Sequence, residues 1–234
     1  MEASAVPLRL AIVMPVLNEA AGIDAALLAL QPLRARGAHL IVVDGGSDDD
    51  TAARARAQAD LAVQSDRGRA RQMNAGAARA VDADVLLFLH ADTRLPRDAD
   101  LLIAHALARG ARWGRFDVRI DGHSPWLVLV AHLMNLRSRL TGICTGDQAL
   151  FVETGLFRTL HGYADIPLME DVELSRRARA ITRPAAIATS VVTSGRRWEQ
   201  RGIWRTITQM WSLRWRYWRG ADPTVLARDY REVR

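Results

Sequence analysis

Along the first hundred residues, short apolar runs alternate with Ala- and Arg-rich stretches of helical length. Leu10 to Met14, His39 to Asp44, Asp60 to Gln64 and Asp84 to Leu89 have the length and side chains of buried strands. Between them, Ala20 to Ala35, Asp48 to Gln58 and Gly68 to Val81 are long enough to form helices. Each strand is thus followed by a crossover helix, which parallel pairing requires. Polar residues collect just past the strand ends. Open parallel sheets bind ligands at the carboxyl ends of their strands, so the segments beginning at Val16, Asp44, Ser65 and His90 are expected to line one cleft.

After Pro96 the alternation becomes irregular. A helix to about Ala108 precedes a strand near Arg115 to Ile120, an apolar helix from Pro125 to about Leu140 and a strand near Gln148 to Glu153. Helices follow at Glu153 to Leu160 and Glu170 to Ala180, then a strand near Ala186 to Val192 and a long helix from about Gly202 to Arg219. The expectation is an α/β domain over residues 1–195, its second half mixed, with a helical appendage at 196–234. No internal repeat or low-complexity linker interrupts it.

Charge changes this picture when it is divided. Residues 1–175 carry 18 Arg against 22 Asp and Glu, whereas 176–234 carry 14 Arg against 4 acids. The basic C-terminal quarter suggests an anionic partner: a phosphate-bearing substrate, a lipid surface or nucleic acid. Nucleic acid is the poorest of these, because no recognition motif accompanies the charge. The single cysteine, Cys144, excludes an intrachain disulfide and gives no reason to expect an oxidising compartment. The N-terminus has no basic flank before a long apolar core, and Trp126 to Met134 falls short of the roughly 20 apolar residues a bilayer needs. A cytoplasmic address is the default expectation.

Three clusters carry candidate chemistry. VVDGGSDDDT at Val42 to Thr51 ends a buried strand in Asp44, whose carboxylate can accept from a nucleobase imide or ribose hydroxyls while Gly45 and Gly46 allow close backbone approach. The same residues also suit a plain strand-to-helix turn capped by Ser47 or Asp48. PVLNE at Pro15 to Glu19 puts Asn18 and Glu19 beside it. FLHADT at Phe88 to Thr93 ends a strand in His90 and Asp92, which alternation places on one side, where they can hold a divalent cation completed by diphosphate oxygens and water. A capped turn is again the plainer alternative. Further on, Glu170 and Asp171 in PLMEDVELSRRA begin a helix, where paired acids commonly answer the helix dipole.

PVLNE, VVDGGSDDDT and LHADT, in that order and spacing, resemble the nucleotide-binding half of family 2 glycosyltransferases. The resemblance implies the GT-A fold, a Rossmann-like, mostly parallel sheet flanked by helices, with residues 1–95 as the nucleotide half and 96–195 as the acceptor half. It implies a UDP- or GDP-linked sugar donor held by Pro15, Asn18, Glu19, Asp44, Gly45, Arg71, Asn74 and His90, with Mn²⁺ or Mg²⁺ on Asp92. This chain departs from the family's Asp-x-Asp at His90, which stands where the first Asp would be. Arg67, Arg69 and Arg71 precede Asn74 and Gly76, which match the family's Asn-x-Gly; a solvated basic helix start is the alternative for the arginines. The Glu-Asp pair matches Glu170 and Asp171, and Asp171 inherits the general base that takes the acceptor's proton during an inverting displacement.

Gly146, Asp147 and Gln148 in GDQALF, with Arg197 and Trp198 in a late RRW, match acceptor and diphosphate elements, although a turn and a basic surface loop would also account for them. With RGRARQMNAGA at Arg67 to Ala77, these segments resemble a bacterial subgroup associated with arsenosugar biosynthesis.

Trp204, Trp211, Trp215 and Trp218 fall on one face of the last long helix, with Arg205, Arg214, Arg216 and Arg219 interleaved. Such a face suits a membrane interface and a lipid-linked acceptor, placing the protein peripherally at the inner side of the membrane. It equally suits packing on the domain or a homodimer. Two rival functions keep the fold: a nucleotidyltransferase, which would want a Gly- and Lys-rich phosphate loop in a chain that has no Lys, and a non-catalytic nucleotide- or lipid-binding module.

Overall fold

The computed structural model describes residues 8–232, the side chains of residues 197, 231 and 232 excepted. The N-terminal reading at residues 1–7 lies outside the described residues. The chain runs β1 (Leu10–Val16), α1 (Ile23–Ala29), α2 (Gln31–Arg34), β2 (His39–Asp44), α3 (Thr51–Gln58), β3 (Leu61–Gln64), α4 (Arg69–Arg79) and β4 (Val85–Phe88). It continues with β5 (Thr93–Arg94), α5 (Ala99–Ala108), β6 (Trp113–Asp121), α6 (Trp126–Thr141), a single 3₁₀ turn Gly146–Gln148, β7 (Leu150–Glu153), α7 (Thr154–Thr159) and α8 (Glu170–Ile181). It ends with β8 (Ala185–Ser194), α9 (Arg196–Arg201), α10 (Ile203–Trp218) and α11 (Pro223–Glu232).

The strands form one sheet in the order β3-β2-β1-β4-β7-β6-β8-β5. The first four are parallel, β7 runs against β4 and β6, β8 is parallel to β6, and β5 pairs antiparallel to β8. Register places Val16, Asp44 and Gln64 side by side at the carboxyl edge. Alternation along β1 explains the two-sided core. Leu10, Ile12 and Met14 pack with Ile23, Leu27, Leu33 and Ile103 on one face, while Ala11 and Val13 pack with Met73, Leu156, Phe157 and Leu174 on the other.

The segment 20–35 is two helices rather than the single one expected. The chain breaks at Leu30 because Pro32, in the first turn of α2, has no N–H to donate and its ring crowds the preceding turn. The strand expected from Gln148 begins at Leu150 because Thr145 and Gln148 form a reciprocal capping box around the 3₁₀ turn.

The C-terminal helices pack against the domain. Trp198, Ile203 and Ile207 join Ile120, Leu127 and Val130, and Leu213 and Leu226 close over Met169. Among the described residues no helix is long and apolar enough to cross a membrane.

Candidate active site

At the carboxyl edge of the sheet, the loops after β1 and β2 brace one another. Asn18, at φ 54°, accepts the Asp48 N–H at 2.9 Å and donates its own N–H to Ser47 Oγ at 2.9 Å, while the Glu19 N–H donates to Thr51 Oγ1 at 2.7 Å. The Asp44 carboxylate is buried and accepts the N–H groups of Gly46 and Ser47 at 3.1 and 3.0 Å and the Ser47 hydroxyl. The cap expected of Ser47 or Asp48 is replaced by one from Asp44 itself, so a nucleoside would have to use the carboxylate's remaining lone pairs.

Behind this edge, the buried Gln72 amide on α4 donates to the carbonyls of Val16 and Val43, both at 2.8 Å, and clamps β1 to β2. A Cβ on Gly45 would sit 3.0 Å from that amide, and one on Gly76 would sit 2.4 Å from Val13 Cγ1. Both glycines therefore answer a close approach. Asn74 is spent on the backbone of Tyr163, donating at 2.8 Å and accepting at 2.9 Å. Arg71 pairs with Asp165 at 2.8 Å. These two hold the loop before α8 against α4.

At the end of β4 the chain turns into a cavity of about 870 Å³, and both His90 and Asp92 line it. Asp92 is exposed there; its backbone carbonyl, accepting from the Ser194 N–H at 3.1 Å, fixes the turn. His90 Nδ1 lies 3.4 Å from Asp147 Oδ1, and the ring lies so close over Gly146 that a Cβ there would fall 2.5 Å from Nε2. Among the described residues no three His, Cys, Asp or Glu side chains gather as a ready metal site.

Glu170 and Asp171 open α8 after Met169, which adopts φ 70°. Asp171 accepts the Gly146 N–H at 2.8 Å and the Val172 N–H at 2.7 Å. It therefore stands directly behind the 3₁₀ turn, whereas the cavity wall itself is formed by Asp147. Burial, and next the Asp171 charge, push the Glu170 carboxyl above the ordinary carboxylate range. Desolvation would lower the Arg69 guanidinium, but Glu170 and its other neighbours raise it more. The buried Gln148 does not face a ligand; it donates to Ser138 Oγ at 3.1 Å. Trp198 lines the cavity, and the side chain of Arg197 lies outside the described residues. Burial pushes the Cys144 thiol up to about 12, so it is no nucleophile.

The Glycosyl transferase family 2 model matches residues 11–157. The chain belongs to glycosyltransferase family 2. Its fold is that of the GT-A glycosyltransferases, as solved structures show. The mannosyltransferase PcManGT from Pyrobaculum calidifontis, in complex with GDP-Man and Mn²⁺, superposes with a TM-score of 0.62 at 20% identity, covering 80% of this chain and 57% of that one. TarS 1–349 of S. aureus in complex with UDP gives 0.62 at 16%, covering 80% and 60%. Glucosyl-3-phosphoglycerate synthase from Mycobacterium tuberculosis, with Mn²⁺, UDP and glucosyl-3-phosphoglycerate, gives 0.56 at 20%, covering 80% and 70%. This chain thus spans less than two thirds of the length of the first two. No curated protein matches it.

Two residues of this family 2 chain that pattern reading passed over as site residues enter the cavity, Arg137 on α6 and Arg214 on α10. Arg137 is one of two arginines that follow the apolar run in α6, and Arg214 one of three in α10, so neither had a signal of its own. The tryptophan face of α10 is left mostly exposed by the domain. Trp204, Trp211, Trp215 and Trp218 are 61%, 68%, 58% and 80% exposed, because the neighbouring stripe of Ile203, Ile207, Met210 and Leu213 does the packing instead.

Proposed function

We propose that this chain transfers a sugar from a UDP- or GDP-linked donor to an acceptor hydroxyl, inverting the anomeric carbon. The observation that carries the reading is the exposed Asp92 carboxylate beside His90 in the cavity wall, one strand from the braced β1–β2 edge. Pro15, Asn18, Glu19, Asp44 and Gly45 would hold the nucleoside along that edge, with Arg71 and Asn74 positioning the adjoining loop. A carboxylate and an imidazole suit Mn²⁺ or Mg²⁺ whose other positions are filled by the donor's diphosphate. A cation held by Asp92 and His90 would neutralise the departing diphosphate.

Asp171 would accept the acceptor's proton as the acceptor oxygen bonds the anomeric carbon and the bond to the diphosphate breaks. Its two backbone hydrogen bonds orient the carboxylate, and the Gly146–Gln148 turn must shift for the acceptor to reach it, since catalytic contacts often tighten only in the substrate complex. Glu170 lies beside it, and Gly146, Asp147, Arg197 and Trp198 would frame the acceptor and diphosphate, with Gln148 anchoring their turn from behind through Ser138.

Thermal-shift titrations with UDP- and GDP-sugars, with and without Mn²⁺, test this directly, because a ligand that binds only the native state raises its stability. Asp92→Asn should abolish the metal-dependent shift, whereas Asp171→Asn should keep the shift and lose transfer. Transfer at the unmodified rate by Asp171→Asn would remove the base assignment, and no shift with any donor would sink the reading.

The exposed tryptophan face is best read as a peripheral contact with the inner, cytoplasmic surface of a membrane. Trp126 of α6 meets Trp204 at 5.3 Å between ring centroids, which extends the apolar surface onto a second helix. Arg205, Arg216 and Arg219 accompany it; two copies joined by this face would set arginine against arginine, whereas anionic lipid complements them. Sedimentation with vesicles containing anionic lipid should be lost on Trp211→Ser/Trp215→Ser. A concentration-dependent dimer abolished by the same pair of changes, without vesicle binding, would favour the homodimer.

A further inference from the structure

The cavity has two chemically different stretches. One is the polar end at Arg69, His90, Asp92 and Asp147. The other runs between α6 and α10 and is walled by Leu133, Leu136, Leu140, Met210 and Trp211. Arg137 and Arg214 stand where the stretches meet: Leu133 and Leu140 lie about one turn either side of Arg137 on α6, and Met210 one turn before Arg214 on α10. On the polar side, Arg214 feels Asp171 and Asp147.

Arg137 is the anomaly. Its Nε and Nη2 are buried and have no hydrogen-bond partner among the described residues. Desolvation, and next the repulsion of Arg214, bring its guanidinium down to about 10. Arg214 is lowered too, by desolvation. Buried, unpaired donors on a half-buried cation are costly, and a second cation nearby adds to the cost. Asn135, two residues earlier, binds both the N–H and the carbonyl of Val118 at 2.8 and 3.0 Å, which pins α6 to β6 and keeps Arg137 from swinging away. An anion between the guanidinium groups would remove both penalties, and a phosphoryl group offers the oxygens a guanidinium fork matches.

We propose that the acceptor of the transfer is an amphiphile whose phosphoryl group sits between Arg137 and Arg214, with its linear apolar tail between α6 and α10. The hydroxyl that receives the sugar then lies beyond the phosphoryl group, towards Asp92 and Asp147. The tail leaves the cavity past Trp211, on the face already assigned to a lipid surface. This inference rests on the transferase reading and names its acceptor class.

The test uses the full chain and three probes: farnesyl phosphate, farnesol and inorganic phosphate, titrated by calorimetry below the aggregation concentration of the lipids. Farnesyl phosphate should bind saturably and more tightly than either of the others. Arg137→Gln and Arg214→Gln should each weaken it about tenfold or more. Arg139→Gln, which removes a surface arginine paired with Asp117, should leave it unchanged. Equal binding of farnesol, equal binding of inorganic phosphate, or indifference to Arg137→Gln would overturn the proposal. Retained circular dichroism and nucleotide binding show that a variant has folded. Nucleotide binding without farnesyl phosphate binding overturns this inference and spares the transferase; the converse overturns the transferase.

Discussion

The two ends of the site are built on opposite terms. Around β1 and β2 the polar side chains are spent on the protein itself: Asp44 on its own turn, Asn18 on Asp48, Gln72 on two strand carbonyls and Asn74 on Tyr163. Between α6 and α10, Arg137 leaves donors unmet. The first region is rigid before a ligand arrives, and the second is a cationic cavity that a ligand would complete. A site that must read a nucleoside gains from preorganisation, while one that must admit a bulky acceptor can leave its charge to be satisfied on binding.

Four experiments break or sharpen this contrast. The largest effect is expected of Asp92→Asn, which should lower transfer by about a thousandfold, measured as sugar release from the donor with acceptor present. Retained turnover would move the chemistry away from the end of β4. Next, Gln72→Met should cost about 2 kcal/mol in urea denaturation, since it removes a buried amide that donates to the Val16 and Val43 carbonyls, of which Val16 keeps the Gly45 N–H. Arg137→Met should have the contrary sign, leaving stability unchanged or raising it by up to about 1 kcal/mol while ligand binding falls. Equal destabilisation by these two substitutions would erase the distinction between the regions.

The smallest effect concerns pH. Glu170 has a folded-state value above its ordinary 4.5, raised mainly by burial, so the folded chain keeps a proton that the unfolded chain has already released. The stability this contributes is present below about 4.5 and is lost as pH rises through the folded value. Glu170→Gln should therefore gain on the unmodified protein as pH climbs through that window and hold a constant advantage above it. Denaturation midpoints across the range check this, and a gap independent of pH would contradict it.

Much of the first, mostly parallel part of the sheet was legible in the sequence. β2 matches its expected His39–Asp44 to the residue, and β1, β3 and β4 fall within two residues of theirs, because a short aliphatic run closed by polar residues has few other ways to sit in a parallel sheet. His90 and Asp92 do share the cavity, but they sit in the turn beyond β4, so the strand alternation expected to align them does not extend that far. The mixed half was read less finely. β5 is two residues long and α9 only six, too short to show a period, and α11 had no place in the expected order of elements. The tryptophan stripe of α10 was seen, but the stripe that packs, Ile203, Ile207, Met210 and Leu213, is as apolar, so periodicity could not say which one faces the domain.

Local chemistry thus settled what neighbours in the chain decide: strand and helix order, turn residues, and acids at strand ends. The partners those residues meet depended on the fold. Asp44 lies three residues from the Ser47 that occupies it, so local chain geometry alone brings the two together. Arg137 leaves donors unpaired because α6 and α10, separated by two strands and three other helices along the chain, close over one cavity. Whether a buried polar group is satisfied depends on everything packed around it, and no linear pattern carries that information.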